Sequence, residues 1–262
     1  MPTSERAEKA SEIATAAGAL ALRYFRQLES LTVEEKGHQD FVSQADRDVE
    51  TFVRDELSKM FPEDSIVGEE HAPTIGSSGF TWVIDPIDGT ANFVNGIPIW
   101  TVVLAGVRSG QTELGVIYDP CYDETYSAVA GQGALLNGRK LQMATDKRLS
   151  DGSIGVGYSN RTSPDVTCKL IRSLLDEGSV FQRNASGALS LAYVAAGRLL
   201  GYSEEHMNAW DCLAGQLLIS EAGGCVEEQN ADHMIATGGR VIVGGKGVFK
   251  HLVRISEAAF DG

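Results

Sequence analysis

Between residues 82 and 90 the chain reads Trp-Val-Ile-Asp-Pro-Ile-Asp-Gly-Thr, placing Asp85, Asp88, a glycine and the Thr90 hydroxyl within six residues. Hard oxygen ligands beside a flexible glycine are what a divalent cation and a phosphate need. Trp82, Val83 and Ile84 read as the end of a buried strand. Pro86 has no N–H for a sheet ladder, and Asp88-Gly89 is a turn signal that leaves amides free to face an anion. An isolated segment of this kind is as well explained by a plain turn, because Asp-Gly pairs mark turns widely.

Three other segments add carboxylates in a matching pattern. Gly68-Glu69-Glu70 follows the short apolar run Ser65-Ile66-Val67, so two more acids stand at a strand end. Trp210-Asp211 opens an apolar helical run, Leu213 through Ile219, that stops at Glu221-Ala-Gly-Gly224. Asp40-Phe-Val-Ser43-Gln-Ala-Asp46 precedes a helix whose Val49, Phe52, Val53 and Leu57 fall on one face. Taken singly, Asp46 behind Ser43 and Asp211 behind Trp210 are both explained as helix caps or first-turn acids. Capping does not explain the whole set, whereas Mg²⁺ takes octahedral oxygen coordination from a few carboxylates, waters and substrate phosphate.

On these residues the chain resembles the inositol monophosphatase family, within the wider group of lithium-sensitive, Mg²⁺-dependent phosphatases. The match runs through the Lys36 to Asp46 stretch, Gly68-Glu69-Glu70, Asp85-Pro-Ile-Asp88-Gly-Thr90, and Trp210-Asp211 with Ala214-Gly215 and Glu221-Ala-Gly-Gly224. The resemblance implies that Glu69, Asp85 and the carbonyl of Ile87 hold one Mg²⁺, and that Asp85, Asp88 and Asp211 hold a second. Glu69 would also face a third, looser ion, giving two to three ions per site. It further implies that Thr90 and Asp46 orient or deprotonate a water attacking a phosphate monoester directly, with the Gly89 and Thr90 amides on the phosphate.

The substrate's alcohol part is implied to lie against the loop Asn184-Ala-Ser-Gly-Ala-Leu-Ser190, through Ser186 and Gly187, and against Glu204 and Asp88. That loop departs from the family's usual Gly-Ser/Thr-Ala-Ala run, reading Ala185-Ser186-Gly187-Ala188 instead. Glu204 offers an acid to polyol hydroxyls, although Glu204 and Glu205 read equally as a solvated charged pair. The favoured substrate is inositol monophosphate or a related phosphorylated polyol. Relatives use fructose 1,6-bisphosphate, histidinol phosphate or 3′-phosphoadenosine nucleotides. A homodimer is implied as well.

Composition is compatible with this reading. The chain has 262 residues, 43% of them hydrophobic, and a formal net charge of −14. An acidic surface repels polyanions, so no nucleic-acid partner is expected, and an anionic substrate would rely on bound metal for attraction. The N-terminus lacks a charged-then-apolar export signal, and no segment is apolar for the length of a bilayer, so a soluble cytoplasmic protein without a membrane partner is expected. Cys121, Cys168, Cys212 and Cys225 are scattered, without metal-ligand spacing; Cys212 reads as a small buried apolar residue or as a helix-start thiol. The five histidines are dispersed, with His206 near enough to Asp211 to line a substrate mouth.

Other chemistries find less support. The stretch from Gly239 to Gly247 is a poor phosphate-binding loop, with the first glycine misplaced and no Ser or Thr after Lys246; it reads as strand and turn. No Gly-x-Ser-x-Gly nucleophile elbow occurs. A covalent aspartyl phosphate uses Asp-x-Asp, whereas Asp85 and Asp88 are separated by two residues, one a proline. A silent metal or phosphoinositol sensor fits poorly with an unbroken ligand set.

The elements that must position these residues are legible in part. A first helix carries Ala7, Ala10, Ile13, Ala14, Ala17, Leu20, Ala21, Tyr24 and Phe25 at helical spacing. From Trp100 onward apolar strands alternate with Ser109-Gly110, Asp119-Pro120 and Asn137-Gly138, predicting a meandering antiparallel sheet. Helices are expected around Val166 to Leu175 and Gly187 to Gly197, and strands at Cys225-Val226 and Val241 to Val243. The predicted class is α+β. Two lobes are expected, residues 1–148 with most metal ligands and 149–262 with Asp211 and the substrate loop. The resemblance implies a layered α-β-α-β-α sugar-phosphatase-like fold with the site between the lobes.

Overall fold

The computed structural model describes residues 2–30, 32–37, 40–159 and 161–260; the side chains of Lys36 and Asp40, in the stretch carrying the resemblance, lie outside the described residues. Helices α1 (Thr3–Phe25) and α2 (Gln44–Met60) are separated by a hairpin of β1 (Val33–Gly37) and β2 (Asp40–Ser43). There follow β3 (Ser65–Gly68), β4 (Phe80–Asp88), a short α3 (Thr90–Val94), β5 (Thr101–Arg108), β6 (Gln111–Asp119), β7 (Glu124–Val129), β8 (Gly133–Leu136) and β9 (Arg139–Lys140). Strands β3 to β9 make one sheet in chain order, β3 parallel to β4 and every later pair antiparallel.

The remainder supplies β10 (Ser153–Val156), α4 (Pro164–Asp176), β11 (Val180–Gln182), α5 (Gly187–Ala195), β12 (Gly201–Met207) and α6 (Ala209–Glu221). It closes with β13 (Cys225–Val226), α7 (Ala231–Thr237), β14 (Gly239–Gly244) and α8 (Phe249–Phe260). Its sheet has the order β11-β10-β12-β14-β13, with β10 parallel to both neighbours and β14 antiparallel to both of its own.

Three apolar clusters separate five layers. The alanine stripe of α1 and Val49, Val53 and Leu57 of α2 pack on Trp82, Ile84, Val102 and Val116 of the first sheet. Val83, Val103 and Ile117 point the other way, into α5 and α6, whose far side meets Val241 and Val243 of the second sheet. Ile154 and Ile242 face outward again, against α4 and α8. The order is therefore helix, sheet, helix, sheet, helix, the α+β layering expected. A strand covered on both faces has to be apolar at successive positions, which is why β4 shows a continuous run, not an alternation.

One sequence expectation needs correction, and one open alternative is settled. Strand β4 does not end before Pro86: it runs to Asp88, pairing Asp85 with Val103 and Asp88 with Thr101. Two β4 residues, Pro86 and Ile87, thus oppose one on β5, and this bulge gives a residue with no N–H a place inside a strand. The Cys212 thiol is fully buried and its pKa is pushed well up, chiefly by burial, so it behaves as a small apolar residue and not as an activated helix-start thiol. Sequence periodicity does not predict the β1–β2 hairpin, α3, α7, α8 or strands β10 to β12. Among the described residues no helix is long and apolar enough to cross a membrane.

Candidate active site

Strand β4 and helix α6 bring three acids together. Asp85 and Asp88 come from the bulged end of β4 and Asp211 from the first turn of α6, and one carboxylate oxygen from each lies within 4.8 Å of the others. Asp211 caps its own helix as well, since its Oδ2 accepts the Asn208 amide N–H at 3.1 Å. Burial comes first, the charge of nearby Glu69 second and those of Asp88 and Asp211 after it in raising the pKa of Asp85 well above the carboxylate range. Asp211 is raised for the same reasons, burial and the charge of Asp88. Among the described residues no Lys or Arg forms an ion pair with Asp85, Asp88 or Asp211. Two buried carboxylates and a half-buried third, held together with no ion-paired Lys or Arg among the described residues, fit a bound cation as their counter-charge.

The neighbouring groups belong to two loops. Glu69 follows β3, whose parallel pairing with β4 sets it beside Asp85, and its charge is the second cause of the Asp85 shift. Gly89 adopts φ +101°, and a Cβ there would stand 2.9 Å from the carbonyl of Ile99, so only glycine fits between β4 and α3. Thr90 Oγ1 donates to Asp46 Oδ1 at 3.0 Å and has the carbonyl of Ile87 at 3.1 Å as a second acceptor. Asp46 is fully buried at the start of α2, where Oδ2 accepts the Ser43 amide at 2.8 Å and the Ser43 hydroxyl at 2.6 Å. Burial outweighs those hydrogen bonds and pushes its pKa up to about 6.

The loop before α5 closes the site from the C-terminal half. Asp88 Oδ1 accepts the Gly187 amide at 3.0 Å; Oδ2 accepts the Ala188 amide at 3.0 Å, the Ser186 hydroxyl, and the Thr101 hydroxyl at 3.3 Å. Asp88 therefore caps α5 across the cleft. A carboxylate oxygen takes about two donors, so Oδ2 is filled and Oδ1 keeps one lone pair for a cation or for a sugar hydroxyl, not for both. Asn92 of α3 ties the loop down further, its Nδ2 donating to the carbonyls of Asn184 at 2.7 Å and Ile99 at 2.8 Å.

Asp88, Asp211, Ser186, Gly187 and Glu204 all line one cleft of ≈ 150 Å³, together with Gly157, Tyr202 and Met207. Glu204 is only 9% exposed, which removes the solvated-pair alternative for it. It accepts the Tyr202 hydroxyl, and burial raises its pKa to about 7. His206 is turned to Arg161 and the carbonyl of Thr237 instead. Sequence reasoning missed Tyr202, Asn92 and Thr101 as site residues. Tyr202, two residues before Glu204 on a strand, carried the one signal available, since alternate strand residues share a face.

The geometry has counterparts in known proteins. The chain is 39% identical to an inositol-1-monophosphatase of Mesorhizobium japonicum over 246 residues, covering 93% of this chain and 92% of that protein. It is 36% identical to the Nus factor SuhB of Pseudomonas aeruginosa over 247 residues, 92% of this chain and 91% of the other. The solved structure of the extragenic suppressor protein suhB from Bartonella henselae superposes with a TM-score of 0.89 at 34% identity, covering 97% of this chain and 98% of that one. Residues 3–259 match the model of the inositol monophosphatase family. With the layered fold and clustered acids described above, this places the chain in the inositol monophosphatase family, a family of phosphatases.

Proposed function

We propose that the protein hydrolyses a phosphate monoester of a polyol, inositol monophosphate or a close relative, with Mg²⁺, by direct attack of water. The observation that carries this reading is the cluster of buried Asp85 and Asp88 with half-buried Asp211, beside a hydroxyl, Thr90, that is itself held by a buried acid. Glu69, Asp85, the Ile87 carbonyl, Asp88 and Asp211 would hold Mg²⁺, which when bound lowers the pKa of an attacking water and steadies the charge on the leaving alkoxide. Thr90 Oγ1, donating to Asp46 Oδ1, keeps lone pairs free to accept a hydrogen bond from that water and so to aim it. Asp46, with its pKa near 6, is able to take up the released proton at Oδ1. The Gly89 and Thr90 amides face the phosphate in this reading, while Ser186, Gly187 and Glu204 line the alcohol side, and the one lone pair left on Asp88 goes to the cation and not to a substrate hydroxyl. The molecule works in the cytoplasm as a homodimer.

The test is turnover on a panel of phosphate monoesters with and without Mg²⁺, joined to a rapid quench with labelled substrate. Mg²⁺-dependent release with no phosphate trapped on protein is expected. A phosphoaspartate at Asp85 or Asp88 in an amount matching active sites would overturn direct attack. Relatives named Nus factor SuhB favour a second reading, in which the chain also serves as a factor of that kind. A net charge of −14 disfavours direct grip on a polyanion, so filter binding of RNA at physiological salt is expected to show no retention.

A further inference from the structure

Helix α2 carries a second buried acid, Glu50, one turn beyond Asp46 and on the same face. Its Oε2 accepts the amide N–H of Glu70 at 2.7 Å and its Oε1 that of His71 at 3.2 Å. Arg54, four residues on, donates Nε to Oε1 at 2.6 Å and a terminal nitrogen to the carbonyl of His71 at 3.1 Å. Gly68 lies directly over the carboxylate, where a Cβ would stand 2.2 Å from Oε1. The backbone on both sides of Glu69 is thereby pressed against one buried ion pair.

A buried carboxylate is costly unless its lone pairs are used, and Glu50 spends them on the two amides that follow Glu69. One turn earlier the same helix face holds Thr90 through Asp46. Because a helix fixes the spacing of residues four apart, α2 sets the distance between the Glu69 segment and Thr90. We propose that Glu50 is a positioning residue for the cation centre: it acts through the Glu70 and His71 amides to fix the Glu69 carboxylate against Asp85. The proposal rests on the reading that Glu69 and Asp85 share a bound cation.

The experiment uses the full chain and Mn²⁺ alone, with free ion followed by electron paramagnetic resonance in the absence of substrate. Glu50→Gln keeps the side-chain volume and one acceptor but removes the charge that Arg54 pairs. Mn²⁺ affinity is expected to fall about 10- to 100-fold, as when ligand-orienting partners are removed. In a Glu69→Ala background the same change is expected to alter affinity less than about two-fold, since the ligand it positions is gone. A purely structural Glu50 would lower the urea midpoint while leaving Mn²⁺ affinity intact, or would weaken binding equally in both backgrounds; either result overturns the proposal. If Glu50→Gln does not fold, Arg54→Gln carries the same pair of expectations at smaller size. Wild-type protein that binds no Mn²⁺ overturns the cation reading and the proposal with it, whereas wild-type binding that Glu50→Gln leaves unchanged overturns the proposal alone.

Discussion

Asp46 gives one oxygen to the start of its own helix and the other to Thr90, while Asp211 caps α6 and still meets Asp85 and Asp88. Asp88 divides itself differently, between the acid cluster and the N-terminus of α5 in the other half of the chain. The two cluster members are therefore expected to fail in distinguishable ways. Asp88→Asn and Asp211→Asn each remove a charge from the shell of the proposed cation, and each is expected to lower kcat by at least about 100-fold, several kcal/mol of barrier. Asp88→Asn also turns an amide donor toward the amides of α5, a cost of about 1–3 kcal/mol in stability. Asp211→Asn keeps a cap acceptor and removes a like charge, so its urea midpoint without metal should match or exceed the wild type. Near-normal turnover in both folded variants would sink the cation assignment, and equal losses of stability would sink the division of labour at Asp88.

Among the elements, the turn between β6 and β7 carries a buried charge unrelated to the cluster. Asp119 ends β6, and its Oδ1 accepts the amides of Cys121 at 2.9 Å and Tyr122 at 3.2 Å, while Oδ2 is buried without a hydrogen-bond partner among the described residues. Burial raises its pKa from the ordinary 3.8 to about 6. An acid with a raised pKa in the folded state supports folding fully below its unfolded value of 3.8, where the neutral form prevails in both states, and that support is lost as pH rises through the folded value of about 6. Asp119→Asn retains the Oδ1 acceptor without the charge. It is expected to match the wild type near pH 3.5 and to exceed it by about 1–2 kcal/mol at pH 7.5, the full conversion being reduced for partial solvation and for nearby Arg198. Denaturant melts at the two pH values decide it, and a stability difference that does not change with pH would refute the account.

For the molecule as a whole, the cluster draws Asp85 and Asp88 from the first sheet and Asp211 from a helix packed between the two sheets. Only the folded chain assembles these donors, so a cation bound there stabilises the native state by RT ln(1 + [L]/Kd), about 2.7 kcal/mol at a hundred times Kd. Mg²⁺ is accordingly expected to raise the melting temperature of the wild type by several degrees and that of Asp211→Asn much less. Calorimetry with and without Mg²⁺ tests this, and an identical rise in both proteins would show that the ion acts elsewhere.

Residue type and spacing alone specified the acid inventory, the alanine face of α1, the meander from β5 to β9 and, to within a residue of Trp210, the start of α6. Those features are local: periodicity of 2 or 3.6, caps and turn residues are all written within a few positions of one another. Only the tertiary structure decided that β4 bulges across Pro86, that Asp88 caps a helix 99 residues away and that Glu204 turns inward beneath Tyr202. Each of these depends on partners distant in the chain, whose approach is set by how the layers pack. The same holds for Glu50, which in sequence is one more acid on an amphipathic helix. What marks it is full burial against the segment that carries Glu69, and burial is a property of the assembled layers.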